Sequence, residues 1–279
     1  MKNAMTTDVL YNQDCLEGMR TLPSESIDCV VTDCPYKICA GGVSIEERAD
    51  EMGGVMRKRT DSKHVSLCGV LNDKQVIRSN SRIGDKWVKA DQTAVPSAVR
   101  NGKMFAHNDI AFSEWLPDVY RVLKQGTHCY IMVNARNLKE LQTEAEKVGF
   151  VFQNLLVWDK GTATPNKYYM QGLEFILMLS KRPARNINDM GSKNLLSTPN
   201  IIGTKRHPCE KPVSLMAEMI RNSTNEGDIV LDPFTGAGST LIAAKRLNRR
   251  YIGFEIDKQY YDIAYRRLYK EPQQTTMFN

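Results

Sequence analysis

The sequence predicts an α/β fold built on a doubly wound, mostly parallel sheet. Short apolar runs that suit buried strands alternate with stretches of helical spacing. The run Ile27–Thr32 ends abruptly at Asp33, as a buried parallel strand does when a turn follows it. A later run that ends at Leu231 leads through a glycine-containing turn into a helix. These observations together favour strand–turn–helix units over an all-helical or all-β fold.

The N-terminal part of the chain is predicted to be ordered from residue 7 to residue 36. A short strand over residues 8–11 precedes one or two helical turns over Cys15–Leu22 and then the strand Ile27–Thr32. Residues 37–104 differ, because they are rich in Gly, Ser, Lys, Arg and Asp and have few apolar patterns. A segment of this length without its own pattern is usually functional or disordered, so it predicts an inserted basic loop or lid beside Asp33.

The rest of the chain alternates between helices and strands from about Ile110 onward. A polar, basic segment over residues 183–206 interrupts the alternation. The predicted elements are a helix over 112–123, a turn at Gln125-Gly126, a strand over 129–133, a helix over 138–148, strands over 151–158 and 175–179, a helix over 212–223, a strand over 228–231, a helix over 239–247, a strand over 251–254 and a helix over 258–268.

Composition restricts the functional class only broadly. The chain has 279 residues and a net charge of +6, which is compatible with phosphate binding without demonstrating it. Its seven cysteines include no C-x-x-C pair, so we expect free, reduced cysteines and no metal site. No apolar run approaches the ~18–20 residues that span a bilayer, and Met1–Leu10 lacks the apolar core of a secretory signal. We therefore expect a cytoplasmic protein with no membrane partner.

The segment Asp232–Thr240 is a candidate ligand-binding turn. Its glycines, Gly236 and Gly238, would let the backbone approach a ligand closely. The turn lacks the third glycine of a dinucleotide fingerprint and the Gly-Lys-Ser/Thr of a phosphate-binding loop. Glu255 ends the next strand, where an acidic side chain can bind the ribose hydroxyls of a nucleoside-type ligand. An ordinary strand–turn–helix with Glu255 at a helix N-terminus remains equally open from these residues.

The segment Asp33-Cys34-Pro35-Tyr36 is a candidate reactive loop, because ligands of open parallel sheets bind beyond the carboxyl ends of the strands. Asp33 offers a carboxylate acceptor, Pro35 disposes the preceding backbone to an extended or turned form, and Tyr36 offers an aromatic face. Taken alone, these residues fit a simple turn with Tyr36 packed on the core better than a reactive site.

Three motifs together resemble the DNA amino-methyltransferases, a family with D/N/S-P-P-Y/F, H-P-T-Q-K-P and D-P-F-x-G-S-G-T motifs. Their counterparts here are Asp33–Tyr36, His207–Pro212 and Asp232–Thr240, and the order resembles the permuted β-type subgroup. The resemblance implies a Rossmann-like methyltransferase fold, S-adenosylmethionine as cofactor, and site-specific methylation of double-stranded DNA, as in bacterial or phage restriction–modification. Cys34 replaces the family's second proline, and Cys209-Glu210 replaces Thr-Gln, so we assign Glu210 no role.

The resemblance also implies a role for each candidate residue. In the catalytic loop, Asp33 and the backbone carbonyl of Cys34 would accept the hydrogens of an exocyclic amine, Pro35 would shape the loop, and Tyr36 would stack on a flipped base. Lys211 would close over the cofactor. The remaining cofactor contacts implied are Asp14 and Cys15 at the adenine, Glu255 at the ribose, and Asp232, Phe234, Gly236, Gly238 and Ser239 around the methionine part.

Base choice and partners follow from finer features. An aspartate at the first catalytic position resembles adenine-N6 enzymes, with cytosine-N4 methylation and a catalytically inactive DNA-binding protein as alternatives. Methylation of RNA or of a protein glutamine is disfavoured by Asp33 and by the motif order. Segments 37–104 and 183–206 are candidate target-recognition regions. The tail 270–279 is expected to be flexible. Gln274–Phe278 resembles a sliding-clamp-binding peptide, but an unstructured polar end is the favoured interpretation. The protein would be a monomer or homodimer.

Overall fold

A computed structural model describes residues 5–35, 80–83, 86–89, 110–164, 169–203, 205–207 and 209–270. Tyr36, most of the predicted lid 37–104 and the clamp-like peptide Gln274–Phe278 lie outside the described residues. In chain order the elements are β1 (Val9–Tyr11), α1 (Cys15–Thr21), β2 (Ile27–Asp33), β3 (Asn80–Ile83), β4 (Lys86–Lys89), α2 (Phe112–Val122), β5 (Leu123–Val133), α3 (Leu138–Val148), β6 (Val151–Thr164), β7 (Gln171–Ser180), β8 (Leu195–Leu196), α4 (Val213–Ser223), β9 (Ile229–Asp232), α5 (Ser239–Arg246), β10 (Arg250–Phe254) and α6 (Lys258–Tyr269).

The chain divides into two compact units. The first comprises Met1–Pro35, Ile110–Pro165 and Tyr169–Asn279, and the second comprises Tyr36–Asp109 and Asn166–Tyr168. The second unit includes the insertion predicted over 37–104, of which the structure describes an antiparallel hairpin formed by β3 and β4.

The first unit is built on an eight-stranded sheet with the order β1-β10-β9-β2-β5-β7-β6-β8. Strands β1, β10, β9, β2 and β5 pair in parallel, whereas β7 runs antiparallel to both β5 and β6. This arrangement confirms the predicted mostly parallel α/β sheet. Because the five neighbouring strands β1, β10, β9, β2 and β5 share one direction, their carboxyl ends lie along one edge of the sheet, where crevices for ligands form.

The core lies around the central strands of this sheet. Ile27, Val30 and Val31 of β2 are fully buried, and so are Trp115 and Leu116 of α2. Burial on both faces explains why β2 is a continuous apolar run instead of an alternating one. Burial of each such side chain stabilises the folded state by ~1.5–3 kcal/mol. This burial holds in place the strand that ends at Asp33.

The prediction of a turn at Gln125-Gly126 is wrong, because both residues lie inside a strand. Strand β5 begins at Leu123, directly after α2, and Gly126 lies within it at φ 78°. The Gly126 amide donates to the Lys181 carbonyl at 2.8 Å, and the register between β2 and β5 shifts in this stretch. The glycine therefore permits an irregularity inside a strand, which sequence patterns do not distinguish from a turn.

Gly18 provides a test of how tightly α1 is packed beneath the carboxyl edge. A Cβ added at Gly18 would lie 2.2 Å from Cε1 of Phe254, the last residue of β10. We expect Gly18→Ala to destabilise the protein by about 1–2 kcal/mol, because overpacking outweighs the gain in helix propensity. Urea unfolding measures the change. Gly172→Ala, whose added Cβ would lie no closer than 3.5 Å to any atom, is the control. Equal midpoints for Gly18→Ala and the wild type would contradict this packing.

Candidate functional site

Acidic residues lie where several parallel strands end. Strand β2 ends at Asp33, β9 ends at Asp232, and Glu255 directly follows β10. Since β10, β9 and β2 are consecutive neighbours in the sheet, these carboxylates lie along the same edge. The candidate site is built at this edge.

A largely buried row of alternating charges extends from Asp33 across the edge, with Lys211 its most buried member. Lys211 Nζ donates to Asp33 Oδ2 at 2.7 Å and lies 3.3 Å from Glu174 Oε2 on β7. The other carboxylate oxygen of Glu174 faces Lys160 Nζ of β6 at 3.3 Å. The Lys211 side chain is 8% exposed, so its charge is compensated by carboxylates more than by solvent.

The pKa values in this row follow from burial and from the paired charges. Burial raises the pKa of Asp33, and the ammonium of Lys211 offsets part of that rise. Burial also acts to raise the pKa of Glu174, but Lys211 and Lys160 together lower it below its ordinary value. Lys211 is thus the cation that most favours the ionised form of Asp33.

Asp232 connects neighbouring elements through its carboxylate. Its Oδ1 accepts from Thr32 Oγ1 at 2.7 Å and from the Phe234 amide at 3.1 Å, and the Thr240 side chain also bonds to it. Burial raises the pKa of Asp232 to about 6 against these hydrogen bonds. The residue thereby links β2, β9 and the start of α5, and fixes the entry to the glycine turn.

The glycine turn adopts backbone conformations that favour glycine. Gly236 has φ 53° and Gly238 has φ 87°, and Gly238 is the N-cap residue of α5. Glu255 supports the turn, because its Oε2 accepts from the Gly236 amide at 2.8 Å while Oε1 accepts from the Asp257 amide at 2.8 Å. Burial raises the pKa of Glu255 to about 7. The sequence-predicted residues Gly236, Gly238 and Glu255 therefore come together.

Asp14 and Cys15 lie at the start of α1, directly after the Tyr11–Asn12 segment that contacts Glu255. Asp14 is the N-cap residue and accepts from the Leu16 amide at 2.6 Å, while Cys15 is buried. The Glu255 amide donates to the Tyr11 carbonyl at 3.0 Å, and the Asn12 side chain donates to the Glu255 carbonyl at 2.8 Å. The structure thus brings these residues to the same side of the site as the carboxylate predicted for the ribose.

The described part of the catalytic loop is Asp33, Cys34 and Pro35. Cys34 is 2% exposed, and its sulfur lies 3.7 Å from the Met132 carbonyl oxygen. Burial raises the pKa of the Cys34 thiol well above its ordinary value, so the thiol stays protonated and is a poor nucleophile. Cys34 can therefore contribute its backbone while its side chain packs in the core.

The segment that contains His207, Glu210 and Lys211 packs against the glycine turn. The His207 ring lies edge-to-face with Tyr260 of α6, with centroids 4.1 Å apart, and burial lowers the pKa of His207 to about 4. Ser239 Oγ donates to the Lys211 carbonyl at 2.7 Å. Because Lys211 also reaches Asp33, one segment contacts both the turn and the catalytic loop.

Sequence reasoning missed several charged residues of this site. Neither Glu174 nor Lys160 was among the residues for which the sequence predicted a role, and Glu210 was assigned none. Glu210 is 6% exposed and pairs with Arg267 of α6 at 3.0 Å. An acid in place of the family's glutamine signals a nearby cation, but the sequence does not show that the cation lies on the last helix.

The cysteines in the described residues form no disulfide bonds. Cys15, Cys29, Cys34, Cys129 and Cys209 are free. No group of at least three His, Cys, Asp or Glu side chains that could hold a metal ion occurs within the described ranges. The helices in those ranges also lack the length and apolar character needed to cross a membrane.

Comparison with known proteins identifies a single family for most of the chain. The model of the DNA methylase family, which covers N6 and N4 methyltransferases, matches residues 27–266. The type II methyltransferase M2.DpnII of Streptococcus pneumoniae is 28% identical over 291 residues, which cover 97% of this chain and 91% of that protein.

Solved structures show the same fold. The M1.HpyAVI–SAM complex has a TM-score of 0.58 at 22% identity, covering 92% of this chain and 98% of that one. The cytosine-N4-specific PvuII DNA methyltransferase has a TM-score of 0.62 at 17% identity, covering 94% and 86%.

Proposed function

The chain belongs to the DNA methylase family, and on that premise we propose that it transfers a methyl group from S-adenosylmethionine to N6 of adenine in double-stranded DNA. Family membership establishes a DNA methyltransferase that acts on an exocyclic amino group of adenine or cytosine. The observation that supports the catalytic assignment is the partly exposed Asp33 carboxylate at the carboxyl end of β2, paired with Lys211 at 2.7 Å.

The residues at the edge suit S-adenosylmethionine. The glycine turn has no side chain at Gly236 or Gly238, and a Cβ added at Gly236 would meet nothing closer than 3.8 Å, so a ligand can approach the backbone there. The Glu255 carboxylate, whose pKa burial raises to about 7, would gain from the hydroxyl donors of a ribose. Phe234, edge-on to Trp115 with centroids 5.2 Å apart, would line the methionine part together with Asp232 and Ser239.

Asp33 would act on the amino group of the base. When bound, S-adenosylmethionine supplies an electrophilic methyl group. The lone pair of an exocyclic amine is delocalised into the ring, so the amine is a weak nucleophile until its hydrogens are engaged. Within the described residues, the Asp33 carboxylate accepts a hydrogen bond from Lys211 at Oδ2. Its other oxygen, Oδ1, would therefore accept a hydrogen of the amine. Asp33 would also accept the proton that nitrogen releases on forming its new bond to carbon.

The remaining catalytic roles concern the placement of the base. The backbone carbonyl of Cys34 would accept the second amine hydrogen, which requires no thiol chemistry. Pro35 would restrict the loop. Tyr36 would stack on a base flipped out of the duplex, an interaction of ~1–3 kcal/mol in single-strand binders. Positioning and electrostatics would then supply most of the rate enhancement.

The preference for adenine rests on the aspartate at position 33. The fold itself is compatible with either base, because the cytosine-N4-specific PvuII enzyme shares it. Basic side chains of segments 37–104 and 183–206 are the proposed contacts to DNA phosphates and base edges. In the second segment, exposed Arg185 donates one guanidinium N–H to the Ser223 carbonyl at 2.5 Å, so its remaining donors would be the ones to contact DNA.

A methyl-transfer assay tests the proposed function. The purified protein is incubated with methyl-labelled S-adenosylmethionine and, separately, with double-stranded DNA of diverse sequence, RNA or protein, and modified nucleosides are identified by mass spectrometry. N6-methyladenine in DNA is expected. Detection of N4-methylcytosine instead would show that cytosine, and not adenine, is the methylated base. Label only in RNA or protein would refute a DNA substrate, and binding of cofactor and DNA without transfer would identify a non-catalytic DNA-binding protein.

Asp33→Ala separates catalysis from cofactor binding. Removing the carboxylate removes the proposed hydrogen acceptor, so we expect kcat to fall at least about 10²–10³-fold. The Kd for S-adenosylmethionine, measured by calorimetry, should change far less, because the cofactor contacts proposed above lie elsewhere. Asp262→Asn, which alters an exposed carboxylate on α6, is the control and should retain activity. A loss of cofactor affinity as large as the loss of kcat would contradict this role for Asp33.

Lys211→Met should change the pH dependence of transfer. Asp33 must be ionised to accept a hydrogen, and Lys211 and Lys205 lower its pKa while burial and Glu174 raise it. Losing the Lys211 charge should raise the pKa of Asp33 further, so the acidic limb of the kcat–pH profile moves to higher pH. Lys211→Arg, which keeps the charge, should shift the limb less. An acidic limb that is unchanged in Lys211→Met would show that this pair does not set the ionisation of Asp33.

A further inference from the structure

Glu210 is a buried acid that takes no part in the proposed methyl transfer or in the proposed contacts to the cofactor. Its side chain is 5% exposed, and its Oε1 lies 3.0 Å from Nη1 of Arg267, which is 9% exposed. The other oxygen, Oε2, accepts from the Arg206 amide at 2.6 Å. Both oxygens are therefore engaged by protein donors, so the carboxylate has a fixed orientation.

Arg267 connects this acid to the glycine turn. Its Nη1 also donates to the carbonyl oxygen of Ala237, the residue between Gly236 and Gly238. A turn whose glycines occupy positive φ is conformationally permissive, so it requires contacts from outside to remain in one shape. The guanidinium supplies such a contact from α6, and Glu210 holds the guanidinium in place.

Other contacts of the same segment reach the turn on either side of Ala237. The His207 ring lies near Gly236, where an added Cβ would be 3.8 Å from its Cε1, and the Lys211 carbonyl accepts from Ser239 Oγ at 2.7 Å. The turn from Gly236 to Ser239 is thus contacted by the His207–Lys211 segment and by Arg267 of α6, in addition to Glu255, which accepts from the Gly236 amide.

We propose that Glu210 and Arg267 form a positioning pair that fixes the Gly236–Gly238 turn in the shape that binds S-adenosylmethionine. The inference rests on the proposed function, because the turn is there the cofactor site. Neither residue need touch the cofactor. Glu210 acts through Arg267, and Arg267 acts through the Ala237 carbonyl.

The geometry favours positioning over simple stabilisation. A buried ion pair often contributes no more to folding stability than well-packed apolar side chains of similar size. The bridging guanidinium differs from an apolar pair because its planar donors engage a carboxylate and a backbone carbonyl together. Loss of the Glu210 charge alone leaves the buried guanidinium without its counterion, so it should lower stability as well as loosen the turn, and cofactor affinity is the measurement that separates the two effects.

The test compares Glu210→Gln with a matched control, Asp28→Asn. Asp28 is also buried, accepts from Lys124 Nζ at 2.7 Å and from the Ile229 amide at 3.0 Å, and lies near the start of β2, at the opposite end from Asp33. Each acid therefore has one ion pair and one backbone donor. Calorimetry measures the Kd for S-adenosylmethionine, and thermal unfolding measures Tm.

Glu210→Gln is expected to raise that Kd about tenfold, whereas Asp28→Asn should leave it within about twofold of the wild type, even if both variants lower Tm. The same Kd for Glu210→Gln and the wild type would overturn the positioning pair while leaving the proposed function standing. Failure of the wild-type protein to bind S-adenosylmethionine would overturn both.

Arg267→Lys supplies a second variant in case Glu210→Gln does not fold. Lysine keeps the positive charge, but its side chain is shorter, so its ammonium does not reach the position of Nη1 from which both Glu210 and Ala237 are bonded. We expect a Kd raised to the same extent as in Glu210→Gln, with kcat at saturating cofactor within about threefold of the wild type. The double variant should bind no more weakly than either single variant, because both act through one contact. Additive losses would refute the coupling of the two residues.

Discussion

A single buried ammonium group holds the functional edge of this sheet together. Lys211 is 7% exposed, and a charge so far from water must be paired within the protein. It lies between Asp33 at the end of β2 and Glu174 on β7, while its own carbonyl accepts from Ser239 at the start of α5. One residue therefore contacts the catalytic loop, strand β7 and the start of the helix that follows the glycine turn.

The acids along this edge differ in what they can still bind. Asp232 accepts from Thr32 and from the Phe234 amide, so its carboxylate is committed to joining β2 with the turn. Glu255 is partly engaged, because each of its carboxylate oxygens accepts one hydrogen bond from a backbone amide. Asp33 has a charged partner at Oδ2 and acceptor capacity at Oδ1. These three carboxylates therefore differ in how many further hydrogen bonds they can accept. Asp232 is engaged mainly by the protein, Glu255 keeps part of its capacity for a ligand, and Asp33 keeps an oxygen for the reacting group.

Sequence patterns predicted the sheet and the residues at its edge because both depend on local signals. The apolar run before Asp33 and the glycines at 236 and 238 are visible within a few residues. The turn at Gln125-Gly126 was wrong because a glycine inside a strand gives the same signal as a turn. The pairings of Lys211 with Glu174 and of Glu210 with Arg267 join residues that are distant along the chain. Such contacts follow from the tertiary fold and have no local signature.

The pairing of Asp33 with Lys211 resolves a conflict between ionisation and burial. A carboxylate that accepts a hydrogen from a weakly nucleophilic amine must be charged, and it binds that hydrogen more strongly where water is excluded. Exclusion of water, however, raises the pKa of Asp33 and favours its neutral form. A lone ammonium would restore the charge but would also draw the electron density of the carboxylate toward itself. Glu174 limits this effect, because it competes for the same ammonium at 3.3 Å and itself acts to raise the pKa of Asp33. A cation flanked by two carboxylates therefore favours the ionised form of Asp33 against burial while leaving it an effective acceptor.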